Sequence, residues 1–124
     1  MTSDAHRDLL RAFGERVRRN IARELEREDA LSKELKARIV PLVRGAVAEA
    51  RGRGECGRAW LFGSFAWGDP QPGSDVDVMV GDCADPDALA VVIMRATDRM
   101  VHVVPIESAP ESLKARVLGE GSSL

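Results

Sequence analysis

The stretch Leu61-Phe62-Gly63-Ser64-Phe65-Ala66-Trp67-Gly68-Asp69-Pro70-Gln71-Pro72-Gly73-Ser74-Asp75-Val76-Asp77, continued by Val78-Met79-Val80, decides how the rest of the chain folds. Ala59 to Phe62 is a short apolar run stopped by Gly63, and Val76, Val78 and Val80 alternate with Asp75, Asp77 and Met79. Both patterns predict strands. Between them, Gly63-Ser64 marks the end of one strand and the start of a short helix. Residues i and i+2 of a strand point the same way, so Asp75 and Asp77 share one side while the valines face a core on the other.

Upstream, apolar residues recur after Ser3, a candidate N-cap, at Leu9, Leu10, Phe13, Val17, Ile21 and Leu25, the helical steps of three and four. Arg7, Arg11, Arg18, Arg19, Arg23 and Arg27 lie on the other face, which reads as solvated. A second helical pattern, Leu31, Leu35, Ile39, Val40, Val43 and Val47, spans 32–51, and Pro41 inside it predicts a kink or a restart. Gly52 and Gly54 end it, so the first fifty residues read as a helical hairpin. Downstream, Asp85-Pro86 opens a helix running to about Asp98, Met100 to Val104 is a third strand, and Ala109 to Leu118 is a last helix. Residues 119–124 read as a mobile tail. The expectation is an α/β (α+β) domain, a small mixed sheet of three or four strands flanked by helices, with an N-terminal helical extension.

A length of 124 residues leaves room for one domain plus a short extension. With 44% apolar and 31% charged residues the chain has material for a core, which excludes wholesale disorder. No apolar run approaches the roughly 18–20 residues a bilayer span needs, and the first eleven residues carry Asp4 and Asp8, so a soluble, cytoplasmic protein is expected. Cys56 and Cys83 lack the spacing of a zinc site and are expected as reduced thiols. The net charge of −2 hides a division: residues 1–58 hold 14 Lys/Arg against 10 Asp/Glu, and residues 59–124 hold 4 against 10. The chain is not basic overall, so direct nucleic-acid binding is not expected.

The acidic half carries the chemistry. Asp75 and Asp77 repel each other, and such a pair is relieved by hard divalent cations, Mg²⁺ or Mn²⁺. Gly63-Ser64 offers backbone N–H groups and a hydroxyl to an anion such as phosphate. Alone, each piece is bland: an Asp-x-Asp at a strand end is usually a cap or turn element, and Gly-Ser after a strand is commoner still. The joint spacing is the specific feature, with ten residues between Ser64 and Asp75, Trp67-Gly68 and Gly73-Ser74 among them, and an apolar strand after Asp75.

This combination resembles the signature of the nucleotidyltransferase superfamily that includes DNA polymerase β, and within it the minimal nucleotidyltransferases that pair with HEPN-domain proteins in toxin–antitoxin modules. The resemblance covers roughly residues 41–118. It implies a polymerase-β-like nucleotidyltransferase domain over 41–118, following a helical extension over 1–40 and followed by the tail over 119–124. It further implies that Gly63 and Ser64 contact the β- and γ-phosphates of a nucleoside triphosphate, and that Asp75 and Asp77 bind two Mg²⁺ ions. ATP would be the substrate, AMP the transferred group, and a hydroxyl on a HEPN-domain partner the acceptor.

One position departs from the family pattern. A third carboxylate is expected on the next strand, and in Met100-Val101-His102-Val103-Val104-Pro105 the matching position is His102. Three readings stay open: a weakened or dead site, His102 as base or Mn²⁺ ligand, or Glu107 reaching in from beyond Pro105. The function expected is therefore metal-dependent transfer of a nucleoside monophosphate, with Asp75, Asp77 and His102 catalytic. The alternative is a degenerate antitoxin that keeps the fold and binds a HEPN-type ribonuclease. Trp60 and Trp67 read mainly as packing residues, with Trp67 also a candidate to flank the nucleotide, and His6 as a surface residue. The basic N-terminal helix is the expected surface for a partner or for a homodimer.

Overall fold

The computed structural model describes residues 3–124. In chain order the elements are helix α1 (Ser3–Gly52), strand β1 (Arg58–Phe62), a single 3₁₀ turn (Gly63–Phe65), strand β2 (Val76–Gly81), helix α2 (Pro86–Thr97), strand β3 (Val101–Pro105), a second 3₁₀ turn (Ile106–Ser108), helix α3 (Glu111–Glu120) and strand β4 (Ser122–Ser123). The strands form one sheet in the order β3-β2-β1-β4. β1 is antiparallel to β2 and β4, and β2 is parallel to β3, so the sheet is mixed. The chain divides into two compact units, Met1–Leu31 and Ser32–Leu124.

In the second unit, alternation along the strands builds two apolar layers. Ala59 and Leu61 of β1, Val76, Val78 and Val80 of β2, and Val101 of β3 pack with Leu35, Ile39, Val43 and Val47 of α1 and with Leu89 and Ile93 of α2. On the opposite face Phe62 and Met79 pack with Ile106 and Val117, bordered by Trp60, Trp67 and Leu113. α2 begins as its sequence predicts: the Asp85 carboxylate accepts from the Ala88 N–H at 3.1 Å, with Pro86 as the first helical residue. Asp98, in the left-handed region at φ 56°, ends it.

Three expectations change. The helical hairpin is one uninterrupted helix, since Glu28, Asp29, Ala30 and Leu31 include no glycine or proline to break it. Pro41 lies inside α1, and the helix does not restart there. A domain beginning at residue 41 also leaves out Leu35 and Ile39, which are buried in the core of the second unit. Finally, the stretch expected as a mobile tail completes α3 and adds β4. Ser123 faces Trp60 and Ser122 faces Leu61, the Leu124 N–H donates to the Ala59 carbonyl at 2.9 Å, and Arg44 and Arg51 donate to the Ser123 and Leu124 carbonyls. Those bonds are made by backbone carbonyls and N–H groups, which Gly-Ser composition does not advertise. Whether the Ser3 side chain caps α1 lies outside the described residues.

Candidate functional site

The turn after β1 is set by glycine. Gly63 has φ +74°, a conformation that side-chain-bearing residues rarely adopt, and a Cβ there would run into the Asp77 carboxylate. The Gly63 carbonyl accepts from the N–H groups of Ala66 and Trp67, both at 3.0 Å, which closes the turn and leaves Ser64 half-buried at its apex. Gly68 allows the chain to fold back over it, since a Cβ at Gly68 would sit 3.0 Å from Ser64 Cα. The Gly-Ser turn and Asp77 are thus in contact through the pairing of Phe62 with Asp77 across β1 and β2.

Parallel pairing places His102 beside Asp77. The His102 Nδ1 lies 3.4 Å from Asp77 Oδ1, and its Nε2 lies 3.8 Å from Asp75 Oδ2. One imidazole therefore faces both carboxylates. The Asp77 side chain is 25% exposed, against 44% for Asp75 and 60% for His102. Burial pushes the Asp77 carboxyl above its ordinary value, and the Asp75 charge adds to that, while His102 opposes it. A cation placed at the two carboxylates removes this cost of charging.

Among the described residues, no group of three or more His, Cys, Asp or Glu side chains is arranged to hold a metal ion. Two carboxylates suffice for Mg²⁺ where substrate phosphates and water complete the octahedron, and their hard oxygens suit Mg²⁺ or Mn²⁺. The imidazole suits Mn²⁺ better than Mg²⁺. Glu107 does not approach this end of the sheet. Its Oε1 accepts from the Asp82 N–H at 3.1 Å, just beyond the far end of β2, and that bond holds its carboxyl below the usual glutamate value.

The loop between the turn and β2 is held from two sides by residues that sequence spacing does not single out. The buried Ser32 hydroxyl on α1 donates to the Pro70 carbonyl at 2.8 Å. Arg99, which precedes β3, donates to the carbonyls of Gln71, Pro72 and Ser74 at 2.7–3.0 Å and stacks over Phe65. A reciprocal bond inside the loop, Gln71 N–H to Ser74 Oγ, tightens the last turn before Asp75. Both clamps join residues more than twenty positions apart, a reach that no local sequence pattern signals.

A cleft of about 190 Å³ opens beside Asp75, lined by Pro72, Gly73, Ser74, Asp98 and Arg99. A larger cavity of about 290 Å³ lies at the other end of the sheet, among Arg53, Cys83 and Leu89, away from the carboxylates. Trp67 packs at 6.0 Å from Phe62, with the Arg116 guanidinium 4.2 Å above its ring, so much of its surface is already engaged. Trp60 is half-buried under Arg58. No described helix is long and apolar enough to cross a membrane.

The chain is similar in sequence and fold to known proteins. A family model for the nucleotidyltransferase domain matches residues 43–81, which include β1, the Gly-Ser turn and β2. No curated protein matches the sequence. Among solved structures, one named as a minimal nucleotidyltransferase is 27% identical with TM-score 0.56, over 65% of this chain and 88% of that one. Another, a toxin–antitoxin with AMP-PNP, is 26% identical with TM-score 0.51, over 71% of this chain and 70% of that one. A mutant of a toxin–antitoxin complex, 24% identical with TM-score 0.50 over 71% and 70% of the two chains, shares the fold. The Gly-Ser turn and the Asp-x-Asp strand lie inside the stretch that matches the nucleotidyltransferase-domain model, and the fold is similar to that of the structure named as a minimal nucleotidyltransferase.

Proposed function

We propose that the protein transfers AMP from ATP to a hydroxyl on a protein partner, and that the partner is a HEPN-domain toxin. The observation carrying this reading is the convergence of Asp75, Asp77 and His102 against the Gly63-Ser64 turn. The solved toxin–antitoxin neighbour with AMP-PNP, an ATP analogue, supports the nucleotide and a toxin as partner. In this reading the Gly63-Ser64 turn binds the phosphate tail through backbone N–H groups and the Ser64 hydroxyl. Asp75 and Asp77 hold the divalent cation. When bound, it supplies charge neutralisation for the triphosphate and orientation of the attacking oxygen. His102 takes the proton from the acceptor hydroxyl as general base. Arg99 and Ser32 act as positioning residues, since they fix the loop that delivers Asp75.

A second reading rests on the same imidazole. Protonated, His102 neutralises part of the charge on Asp75 and Asp77 and competes with a divalent cation for them. The protein then neutralises its partner by contact and transfers nothing. The two readings separate when ATP labelled at the α-phosphate is incubated with Mg²⁺ or Mn²⁺ and the co-purified partner. Label on the partner supports transfer; a stable complex without label under either metal overturns it. His102→Asp distinguishes the roles further: it raises Mg²⁺-dependent transfer if the imidazole only weakens the site, and lowers it or moves its pH optimum if the imidazole is the base.

The first unit is proposed to self-associate. Leu9, Leu10, Phe13, Val17, Ile21 and Leu25 are exposed along one stripe of α1. Residues 3–19 carry five arginines against three acids, while 20–31 carry two against four. Antiparallel pairing with a second copy sets opposite charges side by side and covers the stripe.

A further inference from the structure

A second set of reactive side chains sits at the end of the β1–β2 ladder remote from Asp77. Arg58 faces Gly81 in the antiparallel register, and the pairing continues past both strands: the Gly57 N–H donates to the Asp82 carbonyl at 3.2 Å and the Ala84 N–H to the Glu55 carbonyl at 3.1 Å. Cys56 and Cys83 therefore lie directly opposite each other between two hydrogen-bonded pairs. In a regular antiparallel ladder that is the non-hydrogen-bonded position, where facing side chains are nearest. Disulfides take Cα separations of roughly 4.4–6.8 Å, a range that facing antiparallel positions reach; Asp82, in the left-handed region at φ 55°, turns the chain just before Cys83.

The side chains agree with the backbone. Both cysteines are free thiols, Cys56 is buried in the larger core, and Cys83 packs against the same cluster. Burial, together with the neighbouring Cys83 thiol, pushes the Cys56 thiol up from its ordinary value. The two residues differ in access. Cys83 lines the cavity of about 290 Å³ together with Ala50, Arg53, Glu55 and Leu89, whereas Cys56 is almost fully covered. One thiol is placed to meet a reagent and the other to meet only its neighbour.

We propose that Cys56 and Cys83 are a cross-strand thiol pair that closes to a disulfide by exchange with low-molecular-weight disulfides admitted through this cavity, locking the far end of the β1–β2 ladder. In the first step the Cys83 thiolate attacks one sulfur of the small disulfide, its own proton having passed to solvent, and one small thiol leaves. In the second, the Cys56 sulfur, losing its proton, displaces the other small thiol from Cys83. The protein loses two protons and two electrons, and the small disulfide gains them as two thiols. Neither cysteine belongs to the site proposed for nucleotide transfer, so the pair stands whether or not that proposal does.

The test is treatment of the folded, full-length protein with oxidised glutathione, followed by thiol counting and peptide mapping by mass spectrometry. The expected product has no free thiol, lacks the mass of two hydrogens, joins Cys56 to Cys83 and reverts with dithiothreitol. Cys83→Ser, and Cys83→Ala as a second form of the same change, should slow modification of the remaining buried Cys56 at least about tenfold relative to wild type. A stable glutathione adduct on Cys83 with Cys56 left free overturns the proposal. So does a folded protein whose two thiols stay unmodified while the denatured chain reacts.

Discussion

Helix α1 carries one sequence pattern and two outcomes. In residues 32–52 the apolar positions Leu35, Ile39, Val43 and Val47 are buried, the last two completely. In residues 3–31 the same spacing leaves Leu9 69% exposed, Phe13 63% and Ile21 54%. Periodicity specifies which face of a helix is apolar; what covers that face depends on what the rest of the chain, or another chain, brings to it. The covered half is a wall of the second unit's core. The uncovered half leaves its apolar stripe exposed, which is why it is proposed to self-associate.

The sharpest way to test this contrast is to truncate one isoleucine in each half. Ile39→Ala should cost about 2–5 kcal/mol of unfolding free energy, the usual range for a buried isoleucine. Ile21→Ala should stay within about 0.5 kcal/mol for a monomer, as at other exposed sites. Chemical denaturation at low protein concentration measures both. Equal losses would mean that the stripe is already covered within one chain.

Phe13→Asp examines the same surface from the other side. It should leave the monomer's unfolding transition unchanged and abolish self-association in analytical ultracentrifugation. A wild-type protein that is monomeric at every concentration breaks the proposed antiparallel pairing.

Much of the folded unit was legible because its signals are local. Val76, Val78 and Val80 alternate with Asp75, Asp77 and Met79, and the register that results puts the two aspartates beside His102. The Asp85-Pro86 start of α2 is a capping pattern readable within four residues. What escaped was non-local or carried by the backbone. Glu28 and Asp29 look like the end of a helix only if a turn follows, and no turn residue does. β4 consists of two serines held by carbonyl and N–H groups, so its side chains give no strand signal. The clamps from Ser32 and Arg99 reach across 38 and 25 or more positions, beyond any periodicity.

Arg99→Met asks whether the covered half of the molecule also preorganises the site. The change removes the donors to three loop carbonyls and should cost about 1.5–3 kcal/mol, the range for a hydrogen bond made by a charged group. Hydrogen exchange should quicken at Ser74 and Val76 while the amides of α2 stay protected. Uniform quickening would show that Arg99 supports the whole domain and not the loop.

The smallest effect concerns the end of β2 opposite the site. The Glu107 carboxyl is held below its usual value of 4.5 by the Asp82 N–H. A depressed folded-state value contributes stability that is present above 4.5 and lost as the pH falls through the lower, folded-state value. Glu107→Gln should therefore flatten the acid side of the stability profile below that pH and change little of its slope at neutral pH. An unchanged acid limb would show that the bond to Asp82 carries no charge-dependent stabilisation.

The central claim is that nucleotide chemistry sits where Asp75, Asp77 and His102 meet the Gly63-Ser64 turn. Calorimetric titration of the full-length protein with a non-hydrolysable ATP analogue and Mn²⁺, for the wild type and for Asp77→Asn, tests it most directly. Losing a group that only supports a metal ligand already costs about 10–100-fold in affinity. The account predicts metal-dependent binding to the wild type and a loss of at least about 100-fold in Asp77→Asn, with the unfolding transition retained. Equal, metal-independent binding by both proteins would contradict it.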